Sequence, residues 1–414
     1  MKSRSFGRYL LLFCFVAVFL SLSTPSLSTP TEKARLYTRP VEFDYLSWDV
    51  NAFLTKIGQS RMTPWRELTA VQQHQLVTRY FELTTQWEAL QAEIQQIYAD
   101  PSIKDPQSAA RVQLAQQTAL QSSLVSLTPL AESILQGQVT EVLVEQGIAR
   151  LGDAIPPLLF HTTPLPKALI ASPRDSIRQD VNISLLADLT LEQISQLEQQ
   201  VEDATRESVL VVNVGGIGIY PTMVMRSSNL PWIVDTIAHE WTHNYLTIRP
   251  LGLNYDTSPE LRTMNETTAA ISGNEISQMV LQRYYPEYLS KLEDSQKLAS
   301  LRRPDETFDF RAEMHTTRVH VDELLAAGKT AEAEQYMEER RIIFVDHGYE
   351  IRKLNQAYFA FYGAYADAPG GAAGEDPVGP AVRKLREQSA SLADFLRTIG
   401  KMNSFEDLQK AIKR

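Results

Sequence analysis

The segment His239-Glu240-Trp241-Thr242-His243 constrains this chain more than any other. Residues four apart share one face of an α-helix, so the pattern is useful only if the segment is helical. Pro231 predicts the start of that helix, which runs to about Ile248 before Pro250 and Gly252 stop it. Both imidazoles then reach one ion, and Glu240 can be aimed at the ion's open position. Ile233, Ile237 and Ile248 fall on other faces and are expected to pack inward. The chain has seven histidines. A chance occurrence of the pattern is expected in roughly one such sequence per hundred, so a third ligand has to discriminate.

Asn265-Glu266-Thr267-Thr268-Ala269 supplies it. Glu266 follows His243 far enough on for a loop and a return helix, and its carboxylate is expected within about 2.0–2.2 Å of a zinc ion. The metzincin pattern would place Gly at 246 and His at 249, but Leu246 and Arg249 stand there. Two histidines, one carboxylate and one open position make a catalytic type of zinc site, whereas a structural site is closed by four protein ligands. Glu240 is the candidate base: it can hold a water and accept its proton. Asp235, one turn before His239, and Glu275, farther along the Glu266 helix, are candidates to orient an imidazole. Asn265-Glu266-Thr267 also fits a glycosylation sequon, discounted because a glycan there would block the helix.

The only cysteine, Cys14, lies in the apolar run Tyr9–Leu22, so metal ligands must be His and carboxylates and the rest of the chain has no disulfide. Lys2, Arg4 and Arg8 precede that run, and Ser/Thr/Pro-rich sequence follows. This pattern predicts a secretory signal or a retained anchor over residues 1–28, with the run shorter than the roughly 20 residues of a spanning helix. The formal net charge is −10 and no Lys/Arg block occurs in the body, which argues against nucleic acid as a partner. Oligomeric state is not legible.

Thr63 and Pro64 predict a helix start. Leu76, Tyr80, Leu83, Trp87, Leu90, Ile94 and Ile97 then form a heptad stripe, and Asp-Pro-Ser near residue 101 turns the chain. A second helix carries Leu120, Leu124, Leu127, Ala131 and Ile134, with a kink at Pro129, and 138–150 is a third amphipathic stretch. Residues 29–150 therefore read as a helical hairpin or bundle domain. From 151 the texture changes. Pro-rich sequence leads into short apolar runs such as Ala168–Ser172, Ser208–Val214 reads as a buried strand, and Thr190 with Gln193 forms a capping box before a helix. Gly215-Gly216-Ile217-Gly218 lacks the ending of a phosphate loop; its glycines let a ligand or another backbone come close. Residues 306–345 read as two charged helices joined by Leu324-Leu-Ala-Ala-Gly328, with His315 and His320 solvated.

With His239-Glu-Trp-Thr-His243 and Asn265-Glu266 followed by a charged helical hairpin and Leu354-Asn355-Gln356-Ala357, the chain resembles the glutamate zincins (gluzincins). In particular, it resembles a family of predicted bacterial aminopeptidases over roughly residues 230–413. The resemblance implies zinc-dependent hydrolysis of a peptide or protein substrate at the cell envelope. The N-terminal helical domain lies outside the resemblance, and the whole chain reads as a mainly α fold with a small mixed β-sheet (α+β): a zincin-like catalytic domain over 151–414 with helical additions at both ends. Gln356 stands where that family has Asn, and the Gly-Ala-Met-Glu-Asn strand by which a major aminopeptidase family grips a free amine is absent. Zincins commonly add a Tyr or His that donates to the oxyanion. Candidates are His347, Tyr349, Tyr358, Tyr362 and Tyr365, the first, third and fourth being the principal ones. The alternative readings are a catalytically inactive zinc-containing binding or scaffold protein, and a scaffold with no metal.

Overall fold

A computed structural model describes residues 28–62, 65–99, 103–148, 155–290, 308–349, 351–363 and 377–413. The apolar N-terminal run, the Thr63–Pro64 helix start, residues 306–307 and Tyr365 lie outside them. The fold is mostly helical with two small sheets, an α+β arrangement.

Helix α1 (Pro30–Thr38) begins at a Thr29–Glu32 capping box and is followed by α2 (Tyr45–Met62), α3 (Ala70–Ala99) and α4 (Arg111–Glu145). The heptad stripe does what its spacing predicts: Tyr80, Leu83 and Ile94 of α3 and Leu124, Ala131 and Ile134 of α4 are buried where the two helices pack together. The second and third amphipathic stretches form one helix, running through Pro129. A proline removes one backbone donor. Here the helix is buried on both sides of it, from Leu124 to Leu143, and packing outweighs that loss.

Two three-stranded sheets replace the single mixed sheet expected. In the first, β2 (Lys167–Ser172) lies between β3 (Val181–Leu185) and β4 (Ser208–Asn213), antiparallel to both, with Leu169 opposite Ile183 and Val211. Leu169, Val209 and Val211 face Ile194, Leu197 and Val201 of α5 (Leu191–Thr205), which starts at the Thr190–Gln193 capping box. Ala168, Ile170, Leu210 and Val212 face the other way, onto Ala357 and Phe361. Burial on both faces explains why these strands are apolar runs without alternation. In the second sheet, β6 (Thr222–Val224) pairs parallel with β1 (Phe160–Thr162) and antiparallel with the edge strand β5 (Gly216–Ile217).

The central helices are α6 (Leu230–Thr247) and α7 (Pro259–Tyr284), packed along each other. Gly273 permits this approach: a Cβ there would lie 3.0 Å from the Asp235 carbonyl oxygen and 3.1 Å from the His239 Cβ. The charged hairpin is α8 (Phe310–Ala326) and α9 (Thr330–Asp346), reversed at Gly328 (φ +73°) and closed over Met314, Val321, Met337 and Phe344. Helix α10 (Gln356–Tyr362) backs the first sheet, and α11 (Val378–Gln388), α12 (Leu392–Ile399) and α13 (Phe405–Ile412) close the chain against α7. One apolar core runs from Val77 and Leu143 through Trp241 and Ile276 to Leu408, so it crosses residue 150 without a break. No helix among the described residues is long and apolar enough to cross a membrane.

A buried ionic cluster ties α2, α4 and β1 together. Lys56 Nζ donates to Glu132, whose carboxylate also accepts the Thr162 N–H (2.7 Å) and meets His161 Nδ1 at 3.2 Å. Both side chains of the pair are almost fully buried. Lys56 and His161 hold the Glu132 carboxyl at about 2, against the burial that would raise it. Burial pulls the Lys56 ammonium below its ordinary value even beside that carboxylate.

Candidate metal centre

Local chemistry fixes both helices of the site. The Asn229 side chain caps α6 at the Trp232 N–H (3.1 Å), with Pro231 in the first turn. Ser258 caps α7 at the Leu261 N–H, with Pro259 in its first turn. Ile233 and Ile237 are buried as expected, but Ile248 is 66% exposed, because the helix ends at Thr247 and no element covers the next residue's side.

Three side chains converge between these helices. His239 Nε2 and His243 Nε2 are 3.1 Å apart, and Glu266 Oε2 lies 3.6 Å from the first and 3.5 Å from the second. Ligands bonded to zinc at about 2.0–2.1 Å in a tetrahedron stand roughly 3.3–3.4 Å from one another, so the triangle has the size of one tetrahedral face. Glu266 Oε2 is buried and has no hydrogen-bond partner, which for a carboxylate oxygen is costly unless a cation completes it. The residues therefore fit a tetrahedral dication with one position left open.

Neighbouring groups hold two of the three donors. His243 Nδ1 lies 2.8 Å from Asn265 Oδ1; an amide oxygen only accepts, so Nδ1 carries the proton and Nε2 presents its lone pair. The Tyr255 hydroxyl donates to Glu266 Oε1, leaving Oε2 to the histidines. Burial pulls the His243 imidazolium down, but the Glu266 charge outweighs it and pushes the group up to about 9. Burial likewise opposes an ionised Glu266, yet the imidazoles hold its carboxyl well below the ordinary carboxylate range.

Glu240 is 8% exposed and lies beneath β5. A Cβ on Gly216 would stand 2.6 Å from Glu240 Oε1, and one on Gly218 would stand 2.9 Å from the His243 Cβ. The glycine run therefore does let something come close, and that something is the Glu240 side chain. Burial raises the Glu240 carboxyl above its ordinary value, against the pull of both imidazoles. All four residues line a cavity of about 340 Å³, whose other walls include Tyr45, Lys167, Asn182, Tyr255, Arg262 and Phe361.

The four described candidates for an oxyanion donor, His347, Tyr349, Tyr358 and Tyr362, do not line this cavity. His347 stacks on Phe308 (3.9 Å, 13°) beyond the end of α9, and its Nδ1 contacts the Ile343 carbonyl. Tyr349 packs on Phe310. Tyr358 and Tyr362 stack on each other (4.5 Å), and neither lines the cavity; Phe361 does. Glu275 is taken by Arg386 in a two-pronged ion pair (2.7 and 2.9 Å) and orients no imidazole. Asp235 Oδ1, by contrast, comes within 3.1 Å of a Cβ built on Gly273, beside His239. His320 pairs with Glu323 on an exposed face, and His74 pairs with Glu287. Asn265 and Tyr255 are the functional neighbours that sequence reasoning missed. Asn265 stood in view beside the ligand; Tyr255 had only its place in the loop between the two ligand helices to announce it. Asn265 is buried, which leaves the sequon without access to a glycan.

Compared with protein-family models, with curated proteins and with solved structures, the chain matches none.

Proposed function

We propose that this protein is a zinc-dependent hydrolase of peptide bonds, with the metal held by His239, His243 and Glu266, and that it belongs with the gluzincins in mechanism. The observation that carries the reading is the triangle of donor atoms, of tetrahedral size, formed by two imidazole nitrogens and a buried carboxylate oxygen that makes no hydrogen bond. A zinc ion in that position supplies a Lewis acid for a carbonyl and acidifies a water molecule.

The chain's own residues then divide the work. Asn265 and Tyr255 fix the orientation of His243 and Glu266. Glu240, next to His239 but not a ligand, accepts the proton of the attacking water and returns it to the leaving amine, a task suited to a carboxyl raised by burial. Strand β5 is the edge of its sheet and borders the cavity, so its outer backbone groups suit an extended peptide. Export or membrane attachment through the N-terminal run, proposed from its charge and hydropathy, puts this chemistry at the cell envelope.

The test is Glu240→Gln. Purified wild type should contain about one zinc and cleave members of a peptide panel that has blocked and free ends. Glu240→Gln should keep the zinc and lose at least about a hundredfold in turnover. Zinc without turnover in the wild type would favour the scaffold reading, and undiminished hydrolysis by Glu240→Gln would overturn the proposed chemistry.

A further inference from the structure

Among the described residues lining the cavity, Glu240 and Glu266 are the only carboxylates, and both have tasks at the metal centre. The remaining charged lining residues are Lys167 and Arg262, both cations. Lys167 Nζ donates to a neutral partner, Asn213 Oδ1 (2.8 Å). Arg262 is more constrained. Its side chain is 12% exposed, its one ion pair is to Asp256 (3.2 Å), which is itself 78% exposed, and its Nε is buried with no partner. Other arginines nearby are better matched: Arg178 holds Asp180 with two nitrogens, and Arg318 holds Asp322 at 2.9 Å. Arg262 also lines the adjoining cavity of about 670 Å³, so it stands where the two spaces meet.

From these observations, and resting on the peptidase reading above, we infer that Arg262, assisted by Lys167, recognises a carboxylate on the substrate's leaving side. The preferred substrate is a peptide whose C-terminal carboxylate lies within about two residues of the cleaved bond. The spacing follows from the helix. Arg262 precedes Glu266 by four residues on α7, a rise of about 6 Å, and one extended residue spans about 3.3 Å. A guanidinium offers a fork of donors to a carboxylate, and burial strengthens the pairing. Within the metal-centre cavity a substrate's free ammonium, by contrast, would meet two cations and no carboxylate beyond Glu240 and Glu266. The site therefore selects against the aminopeptidase activity that the family resemblance implies.

Binding and cleavage test this separately. The probes are N-acetylated tetra-alanine with a free C-terminal carboxylate, its C-terminal amide, the same amide ending in glutamate, and tetra-alanine amide with a free amine. Calorimetry on zinc-loaded Glu240→Gln protein reads affinity without turnover, and wild-type kcat/KM is measured on the same probes. The free acid should exceed its amide by at least about tenfold in both. Arg262→Gln should bring that ratio to about one, and Arg262→Lys should leave it intermediate. A glutamate-ending amide that matches the free acid would also support carboxylate recognition and assign its source to a side chain. Equal affinity for acid and amide, a preference for the free amine, or a ratio unchanged in Arg262→Gln would overturn the inference. Cleavage without acid preference sinks this assignment alone. Acid-selective binding with no cleavage of any peptide sinks the peptidase reading and leaves the carboxylate site standing. The wild-type comparison of acid with amide needs no variant to fold.

Discussion

Gly216→Ala is the perturbation that bears most directly on how the site is assembled. The added Cβ would meet three atoms of one side chain: Glu240 Oε1 at 2.6 Å, Cγ at 2.7 Å and Cδ at 2.9 Å. Ordinary carbon contacts begin near 3.4 Å, so Glu240 must retreat by about 0.8 Å, or β5 must lift by as much. The stem of Glu240 is engaged as well as its tip, so rotating the carboxylate does not relieve the clash. A misplacement of about 1 Å in a reacting group costs on the order of a hundredfold in rate. His239, His243 and Glu266 are not among the atoms met, so zinc content should stay at the wild-type level. Gly215→Ala is the internal control. Its nearest neighbour is Trp232 at 3.1 Å, and activity should fall by no more than about threefold. The assay is kcat/KM on a peptide the wild type cleaves, with zinc measured on the same samples. If Gly216→Ala works as well as Gly215→Ala with zinc intact, Glu240 does not need the position it holds beneath β5. Loss of zinc in Gly216→Ala would instead mean that the strand supports the ligands themselves.

Further outcomes follow from the same contacts. His243→Ala should lose metal and activity together, since two remaining protein ligands hold zinc poorly; metal analysis after dialysis checks it. Asn265→Ala should weaken zinc binding by about 10- to 100-fold, read by competition with a chromophoric chelator, while the fold persists by circular dichroism. Lys56→Met leaves the Glu132 charge buried, and urea unfolding should register a loss of about 3–5 kcal/mol. Lys56→Met with Glu132→Gln should recover most of it, and equal losses in both variants would deny that the stranded charge is the cause. The Glu132 carboxyl is depressed from 4.5 to about 2 on folding, so its contribution to stability is present above about pH 4.5 and is lost as pH falls towards 2. In Glu132→Gln, the slope of unfolding free energy against pH should flatten in that window.

What could be read in advance was local. The metal helices are announced by prolines, by side-chain caps and by two histidines at a spacing that only a helix makes useful. Each of these signals acts within a few residues of itself. The second sheet is different: β1 and β6 have three residues each and β5 has two, too few for any period to appear. Their pairing is set by where α4 and α6 hold them. The tyrosines of α10 show a related limit. Spacing identified Tyr358 and Tyr362 as one face of a helix, but not what the face would meet: Tyr358 packs against the sheet beside Phe361, and only Phe361 reaches the cavity. Glu275 was claimed by Arg386 from a helix more than a hundred residues later, a partner that no local pattern could announce. Asn265 was visible and misjudged. Beside Glu266 on α7 it points at His243 and not at the shared centre, so one dipeptide supplies a ligand and the prop for a different ligand.

The donor atoms share one pair of helices, while part of the cavity wall comes from other stretches of chain. The proposed base and the three candidate metal ligands lie on α6 and α7, adjacent helices sunk in the main core and joined in the wall by Tyr255 and Arg262, while Tyr45, Lys167, Asn182 and Phe361 reach the cavity from the first sheet and its flanks. The reacting groups can therefore stay fixed while the outer wall changes residue by residue, each change altering what fits without disturbing the metal. Inheritance could act on the two halves at different rates. A set of related chains with identical helical ligands and divergent walls would share one reaction and differ in what they accept.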